Sequence, residues 1–511
     1  MLFSSAAFVG LFLPIVLFVF YVSCRYLNRS SAKIWLIGAS LFFYAWWYPP
    51  HTFIVLGSLV INYLVARTIV ACREDNGRSY LRKRWLFAGV VFNISLLAVF
   101  KYLGGSIWHG QGFSDTFEIA IPLAISFITF QQIAFLVDLS KNRIKQFNAI
   151  DYALFILFFP QLVMGPIVHF RELVPQFNAG KFGKFFTENL GVGLAIFIVG
   201  LFKKAVLADS LAPLVDTVFS PVNYHDNLID AWAGAIAFQF QIYFDFSGYA
   251  DMAIGLGRMM GINLPINFDS PLRAVNRFDV WRRWHVSFSS FMRQYVFFPL
   301  CKWRTFRFKP VPALFITVMV SALWHGFGPT FLVWGLVQGL IMLTLHLYTR
   351  RRGVDYDSNV RVFWRVGSTF FVTCLIGVLF RAPDLVTAAD MYRTMFGLGD
   401  VWVPPYIAYH LGVGNMVNIG SLVLDPGHIM ILIIMSVIVW GLPNTRTFFA
   451  DYWQALDQRS NRPKSTVRSI VPAADRLRFR LSVPWGIVFS ILVLLIVTRF
   501  GQPARFIYYQ F

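Results

Sequence analysis

Charge is what this sequence has least of. Only 14 % of its 511 residues are charged while 57 % are hydrophobic, and the mean hydropathy is +0.59. Soluble domains carry roughly 25 % charged residues, so this shortage excludes a water-soluble globular fold. Acids are the scarcer sign: 25 Asp and Glu stand against 45 Lys and Arg, a formal charge of +20. The excess does not point to nucleic acid, because it is spread over short loops between apolar spans, near 25–33, 73–84, 141–145, 350–361 and 446–480. Loops of that kind set membrane topology and meet anionic lipid.

Cysteine is also sparse. Cys24, Cys72, Cys301 and Cys374 have no CxxC or metal spacing, so no disulfide framework is implied. The nine histidines contain no HExxH pairing that would mark a metal centre. Internal repeats, the usual mark of alternating-access transporters, are absent, and so is low-complexity sequence. No basic residue precedes the first apolar segment, 6–24, and no clear cleavage site follows it. A retained first helix is expected there, not a removed signal peptide.

What the chain does have is apolar length. Spans recur near 6–24, 34–47, 53–70, 85–103, 119–137, 152–170, 189–207, 231–256, 311–348, 362–380, 429–442 and 483–499. The 55 Phe and 16 Trp are too many for a narrow interfacial belt and suit broad lipid-facing and interhelical surfaces. Several spans fall short of the ~20 residues that cross ~30 Å, so re-entrant or strongly packed elements are expected among them. The fold class is an all-α polytopic membrane protein, one transmembrane domain over 1–511. Basic loops at 25–33, 73–84 and 446–480 in the cytoplasm put both termini outside. The aromatic tail Phe506–Phe511 then suits an outer interface.

The middle of the chain breaks this pattern. Residues 258–309 hold ten Lys or Arg and only two acids, Asp269 and Asp279. Aromatics, including Trp281 and Trp284, are interleaved with them. Such a segment, bounded here as 258–310, predicts short cytoplasmic helices that lie on or dip into the interface. It leads into an apolar run, 311–348, that contains no acid and one conspicuous imidazole, His325. With basic residues at both ends in the cytoplasm, the run must enter and return. Gly326, Gly328 and Pro329 then form the reversal, with His325 beside it at depth. An ionisable group there faces a cavity or a packed interior and is a functional candidate by default. The plain alternative is a histidine satisfied by a backbone carbonyl at a helix turn.

Trp281-Arg-Arg-Trp-His285-Val-Ser-Phe-Ser and Leu323-Trp-His325-Gly, in that order, resemble the membrane-bound O-acyltransferase superfamily. Within it the chain is most similar to the bacterial alginate O-acetyltransferase branch. The similarity includes Ser40-Leu-Phe-Phe-Tyr-Ala-Trp-Trp, Phe100-Lys-Tyr102, Pro160-Gln-Leu-Val-Met-Gly-Pro166, Gly200-Leu-Phe-Lys-Lys204 and Tyr243-Phe-Asp-Phe-Ser-Gly-Tyr-Ala-Asp-Met. It runs from the first helix to the last residue. What it implies is a ring of about ten to twelve helices around a thinned centre, with re-entrant helices and a tunnel. His325 matches the near-invariant catalytic histidine, and His285 matches a second histidine often needed for activity.

Chemistry supports that reading on its own terms. Acyl transfer to a hydroxyl needs a base for the hydroxyl proton, and burial keeps an imidazole neutral and able to accept it. Asp245 and Asp251, acids in an apolar span, are the candidate partners of the imidazolium; pairing with membrane-embedded arginines or capping a broken helix is the equal alternative. His325 acting as nucleophile and carrying the acyl group is equally open. If the donor is acetyl-coenzyme A, Arg277, Arg282, Arg283 and Arg293, with Trp281 and Trp284 beside them, are candidate contacts for it. Lys203 and Lys204 are further cations for the same mouth. Gly248, Gly255 and Gly257 suit close helix packing better than a phosphate cradle.

Two stretches depart from the family pattern: Arg293-Gln294-Tyr295 has an amide where Arg-Asp-Tyr is usual, and Cys301-Lys-Trp-Arg replaces a Gly-Gly-Asn stretch.

The function expected is an O-acetyltransferase of the bacterial inner membrane that moves acetyl groups outward for an exported polysaccharide, alginate- or cellulose-like. No periplasmic glycan-binding domain is evident, so a periplasmic acetyltransferase partner is expected to finish the transfer, with a polysaccharide synthase or export complex nearby. Acyl transfer to peptidoglycan or teichoic acid is the runner-up. A transporter or channel without chemistry is the alternative of another class.

Overall fold

A computed structural model describes residues 1–74, 79–103, 122–220, 227–302, 310–352, 359–398, 402–403, 418–419, 423–452 and 477–500. These residues are helical, apart from turns, loops and a two-residue parallel pairing of Trp402–Val403 with Asn418–Ile419. Among the described residues six helices are long and apolar enough to cross a membrane: Phe8–Tyr26, Pro49–Arg73, Ser79–Lys101, Thr187–Val218, Pro329–Thr349 and Arg361–Arg381. Ile125–Ser140, Pro310–His325, Pro426–Gly441 and Val483–Val497 are apolar but shorter. The chain is therefore a multi-pass membrane protein. The tail 501–511 lies outside the described residues.

One helix is buried on every side. Leu228–Met259 runs for 32 residues, and from Ala237 to Met259 each one is buried. Asn227 caps it, its side chain accepting the Ile229 N–H at 2.8 Å. A helix apolar on all faces belongs in the middle of a bundle, and this one is the central pillar. Helix Thr187–Phe202 lies antiparallel against it along a seam of glycines. A Cβ on Gly200 would stand 2.5 Å from the Gly248 carbonyl oxygen, and one on Gly193 would stand 2.8 Å from that of Gly255. Backbone touches backbone, as small residues permit between membrane helices. The packing role expected for Gly248 and Gly255 is what the structure gives them.

The expected span at 152–170 is not one helix. Ala149–Leu157 ends at Phe158, and Phe159–Leu162 makes a single turn. Beyond it Met164 takes a left-handed φ of 57°. Gly165 then folds back so closely that a Cβ would stand 2.3 Å from the Gln161 Cα. Pro160 and Pro166 each withhold a backbone donor, which stops the helix from propagating. Residues 154–170 are nonetheless all buried. Irregular backbone is tolerated at depth where protein surrounds it.

The 258–310 segment forms short helices as expected, among them Arg277–Arg283 and Val286–Phe291. It dips inside in its first half, while Arg282, Arg293, Phe298 and Lys302 stay exposed. Arg258, Arg273, Arg277, Arg283 and His285 are all buried in it, together with Val280, Phe288 and Phe291. Of the aromatics that suggested an interface, Phe288 and Phe291 pack inside while Phe298 is exposed.

The apolar run that follows is a hairpin. Pro310–His325 has 16 residues, about 24 Å of helix at 1.5 Å per residue, short of a ~30 Å core. Pro329–Arg352 returns with 24 residues. The arms pack closely: a Cβ on Gly335 would stand 2.5 Å from the Ala322 Cβ. Gly326 and Gly328 form the reversal, and Pro329 starts the second arm where its missing N–H costs nothing. His325 is the last residue of the first arm.

Candidate active site

His325 lies on the wall of a cavity of about 80 Å³ lined by Gln239, Arg277, Trp281, Trp284, Trp334, Thr373 and Phe380, among others. That is room for several waters or a slender acyl group, at ~10–15 Å³ for each water. The imidazole is boxed by rings. Phe380 meets it edge-on at 4.8 Å, Trp334 at 5.7 Å, and Phe331 stacks at 6.3 Å. Among the described residues no carboxylate pairs with it. The hairpin tip is held by Lys101, whose ammonium donates to the Trp324 carbonyl and lies 5.6 Å from the Trp324 ring centroid. A cation at the C-terminal end of a helix meets its unpaired carbonyls and the negative pole of its dipole.

His285 is set differently. It is 2 % exposed and takes a left-handed φ of 42° at the entry to Val286–Phe291. Asn267 fixes its protonation pattern. The Asn267 Oδ1 accepts the Ser287 N–H at 3.2 Å and the Ser287 hydroxyl at 2.9 Å. His285 Nδ1, 3.0 Å from the same oxygen, must therefore donate. That leaves the lone pair on Nε2, which is buried with no hydrogen-bond partner among the described residues. His285 does not line the His325 cavity. Between the two imidazoles stand Trp324 and Phe288, each in ring contact with both.

Neither expected carboxylate orients a histidine. Asp245 pairs with Lys204 at 2.6 Å, the two side chains 1 % and 0 % exposed, and Lys204 also bonds Asp209. Asp251 pairs with Lys203 at 2.6 Å and accepts the Thr445 hydroxyl at 2.7 Å. The glycine seam is the reason: it brings Lys203 and Lys204 close over the central helix beside Gly248, whose added Cβ would stand 3.1 Å from the Lys204 backbone N. Both acids are then spent on lysines. Lys204 is correspondingly unavailable for a donor at a cytoplasmic mouth.

The arginines divide. Arg277 lines the cavity with Trp281 and Trp284. Arg283 is tied to Asp279 at 3.0 Å and to the Asp269 carbonyl. Arg282 and Arg293 are exposed and stand outside this cavity. The Gln294 amide accepts from Arg171 at 3.4 Å and donates to Ser290 at 3.0 Å. The carboxylate facing Arg171 comes from elsewhere in the chain, Asp138 at 3.8 Å. Residues 303–309, with the rest of the second departure, lie outside the described residues.

Sequence reasoning missed Asn267, Gln239, Gln338 and Thr373. The available signal was a polar side chain inside an otherwise apolar stretch, as for Gln338 in Pro329–Arg352.

The family model of the membrane-bound O-acyltransferases matches residues 110–354, a stretch that holds both histidines and Arg277. A peptidoglycan O-acetyltransferase of Helicobacter pylori is 37 % identical over 434 residues, covering 78 % of this chain and 81 % of the relative. A probable alginate O-acetylase, AlgI, of Pseudomonas aeruginosa is 34 % identical over 484 residues, covering 93 % and 86 %. A teichoic acid D-alanyltransferase of Bacillus subtilis is 27 % identical over 281 residues, covering 52 % and 69 %.

Proposed function

The chain belongs to the membrane-bound O-acyltransferase family and is an acyltransferase, and from that premise we propose that it moves acetyl groups from cytoplasmic acetyl-coenzyme A through the bacterial inner membrane to a hydroxyl acceptor. The observation that carries this reading is His325: an imidazole without a carboxylate partner among the described residues, on the wall of an apolar cavity at the tip of a short hairpin arm. As base it takes the acceptor's proton while the hydroxyl oxygen bonds the acyl carbon. The C–S bond then breaks, and the leaving thiolate takes that proton from the imidazolium. Water is kept out by the ring box, which strengthens each charge interaction inside it.

The donor's phosphates fall to the exposed cations of the 258–310 segment, Arg282 and Arg293, where guanidinium forks reach them without burial. The helices are read as a ring around a thinned centre, with both termini periplasmic. The final destination of the acetyl group is a hydroxyl on an exported glycan. Relatives named for alginate and for peptidoglycan O-acetylation support acetyl transfer to a polysaccharide in this chain too. A periplasmic acetyltransferase partner completes the transfer to that hydroxyl.

The test is thiol release from acetyl-coenzyme A by purified protein with an acceptor present. His325→Ala is expected to lower turnover by about 10²–10⁴-fold, the contribution of a positioned base. Full acetylation of the cell's glycan by that variant would refute the role of His325.

A further inference from the structure

We propose that Arg277 is an oxyanion site: a charged group that receives the acyl oxygen in the His325 cavity, not a contact for the donor's phosphates. This rests on the acyl-transfer reading above and adds a second group to it.

Arg277 is 6 % exposed. Its Nη1 donates to Thr373 Oγ1 and its Nη2 to Gln338 Oε1, each at 2.7 Å, while Nε is buried without a partner among the described residues. Both acceptors are neutral, and no carboxylate pairs with it among the described residues. Arg273 is held by the Val439 and Leu442 carbonyls, but four other buried cations are treated otherwise. Lys33 has Asp151, Lys203 has Asp251, Lys204 has Asp245, and Arg283 has Asp279. A buried charge left uncompensated is costly, and negative charge arriving beside it is correspondingly favoured.

The same two helices place Arg277 and His325. On Pro329–Arg352, Trp334 touches the imidazole and Gln338 holds the guanidinium. These residues are four apart and so share a face. On Asn359–Arg381, Thr373 holds the guanidinium and Phe380 touches the imidazole. Base and cation are thus anchored one to two helical turns apart, about 6–10 Å along the helices. Between the anchors on the second helix lies Gly377, where a Cβ would strike the Gln239 amide at 1.8 Å.

Attack on the acyl carbon, whether by the acceptor oxygen or by His325 itself, forms one bond there and moves the carbonyl π pair onto the acyl oxygen. That oxygen carries a full negative charge until the pair returns and the C–S bond breaks. A guanidinium already fixed by two neutral hydrogen bonds meets that charge without rearranging. The cavity is small, about 80 Å³, and its lining largely apolar, which suits a small acyl group better than a hydrated phosphate.

The experiment is steady-state thiol release from acetyl-coenzyme A by the full-length protein. Arg277→Gln is expected to lower kcat by about 10²–10³-fold with KM changed less than about twofold, and Arg277→Lys to recover only part of the loss, since an ammonium keeps the charge without the fork. Thr373→Val keeps the charge, frees one arm of the fork and is expected to lower kcat alone. It serves as the informative variant should Arg277→Gln fail to fold. Arg282→Gln and Arg293→Gln should show the opposite split, a raised KM with kcat kept. A raised KM at unchanged kcat in Arg277→Gln would make Arg277 a phosphate contact and overturn the oxyanion role alone. A wild-type protein that releases no thiol would overturn the donor reading as well, before any variant is compared.

Discussion

Along the glycine seam between Thr187–Phe202 and the central helix, the buried lysines Lys203 and Lys204 each have their own carboxylate. Around His325, a guanidinium and two imidazoles share the interior with no carboxylate among the described residues. The contrast separates charge that serves the fold from charge that serves the reaction. At the seam the pairs neutralise each other, and nothing is left over for a ligand. At the cavity no carboxylate among the described residues pairs with the guanidinium or the imidazole, and in the reaction proposed above a bound substrate or its transition state would supply the compensating charge.

Breaking the seam should have the largest effect. Lys204→Met alone strands the buried Asp245 carboxylate and is expected to cost about 3–5 kcal/mol, and Asp245→Leu should cost less, because Lys204 keeps Asp209. Thermal unfolding in detergent reads that loss. The double variant should regain most of the stability and keep activity, because a buried pair can be replaced by apolar side chains at little cost. A double variant that folds but does not turn over would move Asp245 from the fold to the chemistry.

The two histidines sharpen the cavity side. His285→Ala is expected to lower kcat by about 10²-fold, since His285 packs on Trp324 next to the base and a small displacement costs that much. Asn267→Leu should reproduce most of this loss, because the tautomer of His285 is no longer imposed. A wild-type rate in Asn267→Leu would show that the proton position on His285 is immaterial.

Smaller effects test packing. Gly248→Ala puts a methyl 2.7 Å from the Gly200 carbonyl oxygen and should cost about 1–3 kcal/mol, lowering the melting temperature while the rate of the folded fraction is kept.

The smallest effect is at a helix cap. Asp384 accepts the Thr387 N–H at 2.7 Å, and backbone hydrogen bonding holds its carboxyl below the usual range. A depressed acid contributes stability above its unfolded pKa, near 3.9, and loses it as pH falls through the lower folded value. Asp384→Ala should therefore melt slightly lower than wild type at neutral pH, with the gap closing in acid.

Much of the fold was legible. Long apolar runs, the glycine–proline reversal after His325 and the basic loops are local signals, and the hairpin fell where they placed it. The span at 152–170 failed because hydropathy reads burial, not helicity: those residues are buried, but on a backbone that Gly165 and two prolines keep irregular. In the 258–310 segment the short helices were legible, but which cations are buried was not, because that depends on partners such as Gln338 and Thr373 on other helices.

Sequence alone determined that this chain lives in a membrane, that His325 ends a short apolar arm, and which family's motifs it carries, because hydropathy, turn residues and motif order are all written over neighbouring positions. Tertiary structure decided the partners. Asp245 and Asp251 went to lysines, His285 to Asn267, and Arg277 to Gln338 and Thr373. Each of those choices depends on how closely separate backbone segments can approach, which is fixed by packing and not by neighbouring positions in the chain.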